Sequence, residues 1–230
     1  MRLLVLIPAY NEAGNISRTV ESLRPYLQEG WEYIVVNDGS RDGTAQICQE
    51  RHYNMLDLPV NLGLSGAFLA GMKYALREGY DYVVQFDGDG QHRPEYLAKM
   101  LDTLRREELN IVIGSRFVNE AKPRKLRMLG SSLISLTIRL TSGKRLSDPT
   151  SGMRMFDRSM IERYCTNFNY GPEPDTVAYL MRCGVRVGEC QVYMNERTAG
   201  VSYLNLSSSV YYMINMLISI LLVQFFRYKN

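Results

Sequence analysis

Uninterrupted apolar runs alternate with amphipathic stretches through the first half of the chain. A run such as Leu3–Pro8 is typical of a strand that is buried on both faces of a parallel sheet. The stretch that follows repeats apolar residues at helical spacing, at Ile16, Val20, Leu23 and Leu27. Strand and helix alternate five times in this way, which predicts an α/β fold with a mostly parallel sheet flanked by helices.

The same patterns place the individual elements. The predicted strands of the first half are Leu3–Pro8, Tyr33–Val36, Asn54–Pro59, Tyr82–Asp87 and Ile111–Ser115. The predicted helices between them are Asn15–Gln28, Gly43–Arg51, Ser65–Arg77 and Pro94–Arg106. Beyond them we predict helices at Met128–Leu140, Arg158–Tyr164, Thr176–Cys183 and Val210–Phe226, and strands at Met155–Phe156 and Val185–Tyr193.

Polar residues follow three of the predicted strands at their carboxyl ends. They are Asn11-Glu12, Asn37-Asp38 and Asp87-Gly88-Asp89. Ligands of open α/β sheets bind beyond the carboxyl ends of the strands, so these residues predict a nucleotide or phosphate site. The chain contains neither a GxGxxG motif nor a GxxxxGKS/T motif. Phosphate groups must therefore be held by a metal ion and by side chains.

The segment from Asp87 to Gln91 has the side chains that a metal site needs. In an extended chain Asp87, Asp89 and Gln91 point to the same side. Two carboxylates and an amide oxygen are hard ligands that suit Mg²⁺ or Mn²⁺ and leave positions for phosphate oxygens. The alternative is an acidic turn without a metal, because Asp-Gly pairs are common in turns.

The overall composition limits the classes of binding partner and the cellular compartment that we expect. The net charge of +3, from 27 Lys and Arg against 24 Asp and Glu, is too small to indicate a nucleic-acid partner. The four cysteines form no CxxC pair and have no His at metal-ligand spacing, so we expect reduced thiols with a structural role. The apolar opening is too short for a signal peptide, and we expect the protein on the cytoplasmic side.

Two segments of the second half point to a surface contact. The basic cluster Lys122–Arg127 leads into the apolar stretch Met128–Leu140. It is either a solvated run before a core helix or a basic, apolar element that rests on anionic lipids. Val210–Phe226 is an apolar helical run about 25 Å long, short against a hydrocarbon core of about 30 Å. An interfacial helix or a helix packed on another subunit is therefore favoured over a full span.

Six motifs along the chain resemble, in order, those of a known enzyme family. They are Ile7-Pro8-Ala9-Tyr10-Asn11-Glu12, Val36-Asn37-Asp38-Gly39-Ser40, Asn61-Leu62-Gly63, Phe86-Asp87-Gly88-Asp89, Asp148-Pro149-Thr150-Ser151-Gly152-Met153-Arg154 and Glu196-Arg197. The first four resemble signatures of family 2 glycosyltransferases with the GT-A fold. The last two resemble the polyprenyl-phosphate branch, similar to dolichyl-phosphate mannose synthase. The resemblance implies a catalytic domain over residues 1–203 and, over 204–230, a C-terminal apolar helix for membrane or subunit association.

The resemblance also implies a role for each matching residue. The donor site would be formed by Pro8, Tyr10, Glu12, Asp38 and Asp87. Mg²⁺ or Mn²⁺ would be held by Asp87, Asp89 and Gln91, and it would offset charge on the leaving nucleotide. The acceptor phosphate would be bound by Arg116, Arg127 and Ser131. The residues expected to be catalytic are Asp89, Asp148 and Arg197, with Arg197 closing over the diphosphate.

The implied reaction is transfer, with inversion, of a hexose or N-acetylhexosamine from a nucleotide sugar to undecaprenyl phosphate or another polyprenyl phosphate. A UDP-linked donor is expected over a GDP-linked one, and the product would supply cell-envelope glycan synthesis. An acceptor phosphate is already anionic near neutral pH, so no strong base is needed. The expected setting is the cytoplasmic face of the membrane, where docking would depend on homo-oligomerisation or on a small membrane-protein partner.

Two further functions are open from the sequence. Transfer to a saccharide or protein hydroxyl would need a carboxylate base, for which Glu173 or Asp175 is the candidate. A non-catalytic subunit that binds a nucleotide sugar would have little reason to retain Asp87, Asp89 and Gln91 together. The basic cluster before Met128 favours the phosphate acceptor.

Overall fold

The computed structural model of this protein describes residues 1–123, 126–167, 170–195 and 206–226. These residues form seven strands in a single sheet. The strands are β1 (Leu3–Ala9), β2 (Trp31–Asn37), β3 (Met55–Asp57), β4 (Tyr82–Gln85), β5 (Ile111–Ser115), β6 (Arg154–Asp157) and β7 (Val187–Gln191). The seven strands predicted from the sequence are thus confirmed, with their ends moved by a few residues.

The sheet has the strand order β3-β2-β1-β4-β6-β5-β7. β6 runs antiparallel to both β4 and β5, whereas the other neighbouring pairs are parallel, so the mostly parallel sheet is confirmed. The register pairs Arg154, the first residue of β6, with Gln85 at the end of β4. Because β6 is inserted in this direction, the segment that precedes Arg154 arrives at the same sheet edge as Asp87.

Nine α-helices accompany the sheet in the described part of the chain. They are α1 (Ile16–Leu23), α2 (Thr44–Glu50), α3 (Gly63–Arg77), α4 (Leu97–Arg106), α5 (Leu126–Ser142), α6 (Arg158–Asn167), α7 (Pro174–Arg182), α8 (Leu206–Ile218) and α9 (Gln224–Phe226). The first helix was predicted to reach Gln28, but Pro25 lacks a backbone N–H and the chain tightens into a 3₁₀ turn over Arg24–Tyr26. A second 3₁₀ turn at Pro94–Tyr96 precedes α4.

Helices cover both faces of the sheet. Successive residues of a strand point to opposite faces, so Leu4 and Leu6 enter one core, which includes Phe68 of α3. Leu3 and its neighbours Val5 and Ile7 enter the other core. Both sets are fully buried, which explains the uninterrupted apolar run in the sequence.

The C-terminal segment packs on α5 and α7. A π-helical turn at Ser219–Val223 joins α8 to α9, and Ile220 within it is fully buried. Other apolar side chains of the segment are exposed, among them Ile218, Leu222 and Phe226. Across the described ranges no helix is both long enough and apolar enough to cross a membrane. The predicted division between residues 203 and 204 falls outside the described residues.

The four cysteines are free thiols. Cys48 and Cys190 are buried in the core. Burial raises the pKa of the Cys48 thiol to about 11, so this thiol stays protonated and unreactive at neutral pH. The expected structural role of these residues agrees with this placement.

Candidate active site

Two cavities meet at the carboxyl edge of the sheet. The larger has a volume of about 580 Å³ and the smaller a volume of about 210 Å³. The residues that line both cavities mark their junction, and they are Asp87, Thr150, Ser151, Gly152 and Tyr212. The site therefore offers room for two ligands that meet beside Asp87.

The larger cavity contains the residues predicted for the donor. Its lining includes Pro8, Tyr10, Glu12, Asp38, Asp87 and Asp89. Asp38 Oδ1 accepts the backbone N–H of Leu62 at 2.7 Å, which ties the end of β2 to the loop before α3. Gly39 follows with φ of +62°, and a Cβ there would lie 2.6 Å from the carbonyl carbon of Val60. Only glycine accommodates this turn, and the turn positions Asp38 at the cavity wall.

Asp87 is held from both sides of its carboxylate. Gln85 Nε2 donates a hydrogen bond to Oδ1 at 3.1 Å, and His92 Nε2 faces Oδ2 at 3.5 Å. The backbone N–H of Asp87 donates to His92 Nδ1 at 2.9 Å, so the proton of the neutral ring lies on Nε2. His92 is buried and fixes the direction of Asp87. The same contacts hold the loop between Asp87 and His92 in its conformation.

The three residues predicted to hold a metal ion lie around the cavity junction. Asp87 and Asp89 line the larger cavity, whereas Asp87 and Gln91 line the smaller one. Within the described ranges, no group of three or more His, Cys, Asp or Glu side chains is arranged to hold a metal ion. The motif offers two carboxylates and one amide oxygen instead, a donor set that fits Mg²⁺ or Mn²⁺ with positions left for phosphate oxygens.

The loop before β6 closes against Asp87. A Cβ on Gly152 would overlap Asp87 Oδ2, so the absent side chain is what allows this approach. The loop is held by Arg154, which is buried and donates to the carbonyl oxygens of Ser151 at 2.9 Å and Pro149 at 2.7 Å. Sequence reasoning assigned no role to Arg154. The available signal was a charged residue directly before the apolar pair Met155-Phe156.

The smaller cavity contains an arginine that is anchored by a buried carboxylate. Arg116 lies just beyond β5, and its Nε and Nη2 donate to Asp148 Oδ2 at 2.6 Å and Oδ1 at 2.9 Å. The side chain of Asp148 is fully buried, whereas that of Arg116 is 32% exposed. Asp148 therefore reaches the cavity through Arg116, which it orients with a two-point contact.

Hydroxyl groups and a lysine extend this network. Ser131 of α5 lines the smaller cavity, and its Oγ lies 3.3 Å from Thr150 Oγ1. Lys122 Nζ donates to the hydroxyls of Ser131 at 3.1 Å and Ser135 at 3.2 Å. Burial lowers the pKa of Lys122, and the charge of Asp148 counteracts this effect. The sequence marked Lys122 only as part of a basic cluster and did not single it out.

Two predicted arginines are not placed by the structure. Arg127 lies in the first turn of α5, next to Met128 of the smaller cavity, but its side chain lies outside what is described. Arg197 lies outside the described residues altogether.

The two candidate bases, Glu173 and Asp175, are hydrogen-bonded to the C-terminal segment. Tyr212 Oη donates to Glu173 Oε2 at 2.6 Å, and Ser219 Oγ donates to Asp175 Oδ2 at 2.5 Å.

Solved structures share this fold. The structure of glucosyl-3-phosphoglycerate synthase from Mycobacterium tuberculosis with phosphoglyceric acid has a TM-score of 0.70 and 19% identity, covering 95% of this chain and 79% of that chain. The same enzyme with Mn²⁺, UDP and glucosyl-3-phosphoglycerate gives a TM-score of 0.66 at 19% identity, with the same coverage. At this identity the likeness establishes a mixed α/β, GT-A-like fold.

Comparison with related sequences narrows the assignment from a fold to a family. An undecaprenyl-phosphate mannosyltransferase from Micrococcus luteus is 32% identical over 215 residues, which cover 88% of this chain and 87% of the relative. A polyprenol monophosphomannose synthase from Mycolicibacterium smegmatis is 30% identical over 214 residues, covering 87% and 80%. The profile of the family described as "Glycosyl transferase family 2" matches residues 4–165. The chain therefore belongs to glycosyl transferase family 2.

Proposed function

We propose that this protein transfers a sugar, with inversion, from a nucleotide sugar to the phosphate of a polyprenyl phosphate, with a divalent cation bound at Asp87, Asp89 and Gln91. One observation carries this proposal. A cavity lined by the expected donor residues opens, at Asp87, into a second cavity whose polar groups suit a phosphate. The sequence relatives, which are named for the same class of acceptor, support the proposal.

The larger cavity is the donor site in this proposal. Asp38 would accept hydrogen bonds from the base or ribose, because the Leu62 contact fixes it at the cavity wall. The carboxylates of Asp87 and Asp89 would hold the cation beside the diphosphate. The cation supplies Lewis-acid stabilisation of charge on the leaving nucleotide when it is bound. The contacts of Gln85 and His92 with the Asp87 carboxylate would keep it directed toward the cation.

The smaller cavity is the acceptor site. Arg116 presents a guanidinium that Asp148 holds in one orientation, and Ser131 adds a hydroxyl donor. Arg127 would join them from the first turn of α5, and Arg197 would close over the diphosphate. A dianionic phosphate suits such a set because charge-assisted hydrogen bonds to arginine are strong and directional. Asp148 is a positioning residue in this scheme, since it acts through Arg116.

The proposed reaction needs no general base. An oxygen of the acceptor phosphate forms a bond to the anomeric carbon, the bond from that carbon to the nucleotide's β-phosphate oxygen breaks, and the nucleoside diphosphate leaves. A hydroxyl acceptor would need a general base instead, for which Glu173, on the wall of the larger cavity, is the candidate. His92 Nδ1 accepts a backbone N–H, so that nitrogen is not available to take a proton.

The lipid acceptor would approach along exposed apolar helix faces. On α5, the apolar residues Leu129, Leu133, Leu136 and Leu140 are each more than half exposed. The same helix carries Ser131 and Ile134 into the smaller cavity. α8 packs beside α5 and adds exposed apolar residues, including Ile214. We propose peripheral association of these faces with the membrane that holds the acceptor, with a second subunit or membrane protein as the alternative occupant.

The test is a sugar-transfer assay with purified protein, undecaprenyl phosphate and Mn²⁺ or Mg²⁺. Labelled UDP-glucose, UDP-N-acetylglucosamine, GDP-mannose and UDP-galactose would be offered in turn, starting with the UDP-linked donors. Label in an organic-extractable, acid-labile product supports the proposal and identifies the sugar. Donor binding without such a product from any of the four would contradict the lipid-phosphate acceptor.

A further inference from the structure

Tyr212 brings the C-terminal segment to the reacting region. It lies on α8, yet it lines both cavities and therefore stands at their junction. The next residue, Met213, lines the smaller cavity and packs against Gly130 of α5, where even a Cβ would collide with its sulfur. α8 is thus seated closely enough for Tyr212 to hold a defined position beside the transferred group.

Tyr212 is paired with a carboxylate that faces the larger cavity. Its hydroxyl donates to Glu173 Oε2 at 2.6 Å, and Glu173 lines the larger cavity just before α7. Burial, together with the nearby charge of Glu173, raises the pKa of the Tyr212 hydroxyl. The phenol therefore keeps its proton at neutral pH and Glu173 is the acceptor, so the direction of the bond is fixed.

A second hydrogen bond between the C-terminal segment and α7 lies outside the lining of the two cavities. Ser219, about two turns beyond Tyr212, donates to Asp175 Oδ2 at 2.5 Å. Asp175 lies in the first turn of α7, two residues after Glu173. The two contacts hold the start of α7 against the C-terminal segment.

The charge of this pair determines what it can bind. A carboxylate offers about four lone-pair positions, of which Tyr212 uses one, and it accepts hydrogen bonds from hydroxyl groups. It repels anions, so neither a nucleotide diphosphate nor an acceptor phosphate is favoured next to it. The neutral, hydroxyl-rich part that lies between those two phosphates is the sugar. We propose that Glu173 and Tyr212 bind hydroxyl groups of the sugar that is transferred and so contribute to the choice of sugar.

This inference rests on the proposed function, and its test separates sugar recognition from nucleotide binding. Titration calorimetry with saturating Mn²⁺ would measure binding of UDP, GDP, UDP-glucose, UDP-N-acetylglucosamine and GDP-mannose. Tyr212→Phe keeps the ring without the hydroxyl, and Glu173→Gln keeps the shape without the charge. We expect each variant to bind the nucleotide sugar about tenfold more weakly, since a charge-assisted hydrogen bond is lost, and to bind the free diphosphate as the wild type does.

Two matched variants serve as controls. Tyr211→Phe makes the same change on the adjacent residue, whose side chain is 70% exposed. Ser219→Ala removes the other hydrogen bond between the C-terminal segment and α7. Both should bind the nucleotide sugar as the wild type does, because neither residue is part of the lining of the two cavities at the site.

Three outcomes would overturn the proposal. The first is unchanged nucleotide-sugar binding in both Tyr212→Phe and Glu173→Gln. The second is an equal loss for UDP or GDP, which would place the pair at the nucleotide. The third is the same loss in Ser219→Ala, which would show that the bonds only anchor the helix. Wild-type protein that binds none of the three nucleotide sugars would instead contradict the proposed function itself.

Discussion

Arg116 and Asp148 form a two-point ion pair in which the carboxylate is fully buried and the guanidinium lines the smaller cavity. The backbone N–H of Arg116 adds a third contact to the same carboxylate at 3.2 Å. The pair therefore fixes both the main chain after β5 and the direction of the guanidinium. Under the proposed function, this arrangement would link the stability of the domain to acceptor binding.

Replacement of Asp148 tests this link. We expect Asp148→Ala to lower the free energy of unfolding by about 1–3 kcal/mol, because the buried hydrogen bonds of the carboxylate are lost while the Arg116 left behind is partly exposed to water. Acceptor use should fall more than donor binding, since Arg116 loses its orientation. Urea unfolding and separate titrations of donor and lipid phosphate would measure the two effects.

The exposed pair between Asp102 and Arg106 is a matched control. Their N–O distance of 2.9 Å resembles that of the buried pair, but both side chains are more than 60% exposed. Asp102→Ala should change the unfolding free energy by only about 0–1 kcal/mol. Equal losses in the Asp102 and Asp148 variants would contradict the positioning role.

Asp89 is expected to be essential for cation binding. Asp89→Ala removes one of two carboxylates at the proposed metal site, so turnover should be lost and Mn²⁺ affinity should fall by about tenfold or more. Mn²⁺ binding followed by electron paramagnetic resonance gives a readout that is independent of activity. Chelation with EDTA should likewise stop transfer by the wild type, and added Mn²⁺ should restore it. Full activity in the presence of EDTA would contradict the proposed requirement for a metal ion.

Gly152 tests the closeness of the β6 loop to Asp87. Gly152→Ala places a methyl group on Asp87 Oδ2, so we expect weaker Mn²⁺ binding and about 10–100-fold lower transfer. Gly43→Ala is the control, because its Cβ would meet nothing closer than 3.9 Å. Unchanged Mn²⁺ affinity in Gly152→Ala would show that the loop before β6 shifts without moving Asp87.

Arg127 offers a test of the acceptor assignment. We expect Arg127→Ala to spare donor binding and to raise the KM for lipid phosphate by about tenfold or more, since an arginine contact to phosphate is lost. Steady-state kinetics with varied undecaprenyl phosphate and a donor titration would separate the two. Wild-type kinetics with the lipid phosphate would remove Arg127 from the acceptor site.

The exposed face of α5 should govern membrane association. Leu136→Glu with Leu140→Glu places two charges on this face, and we expect binding to phosphatidylglycerol vesicles to fall by at least about tenfold. Tyr26→Glu with Val60→Glu adds the same charge at exposed apolar sites outside α5 and α8. Cosedimentation would compare the two. Equal binding of both double variants would assign the α5 face to a protein contact instead.

Much of the fold could be read from local patterns. Apolar runs such as Leu3–Pro8 recorded burial on two faces, because that burial leaves no polar position in the run. All seven strands were predicted, although β3, β6 and β7 include polar residues. The antiparallel direction of β6 was not predicted. A strand of four residues carries no mark of its neighbours, and its direction depends on pairing with β4 and β5.

The candidate site divides in the same way. By itself the sequence determined which groups are available, because carboxylates, an amide and arginines at strand ends define the chemistry that a metal ion and a phosphate require. Only the tertiary structure decided that Asp87 stands where two cavities meet, that Asp148 holds the Arg116 guanidinium, and that Tyr212 joins the site from the C-terminal segment. The physical reason is distance along the chain: Asp87 and Tyr212 line the same two cavities only because α8 packs on α5 and α7, and packing of remote segments leaves no local periodicity to read.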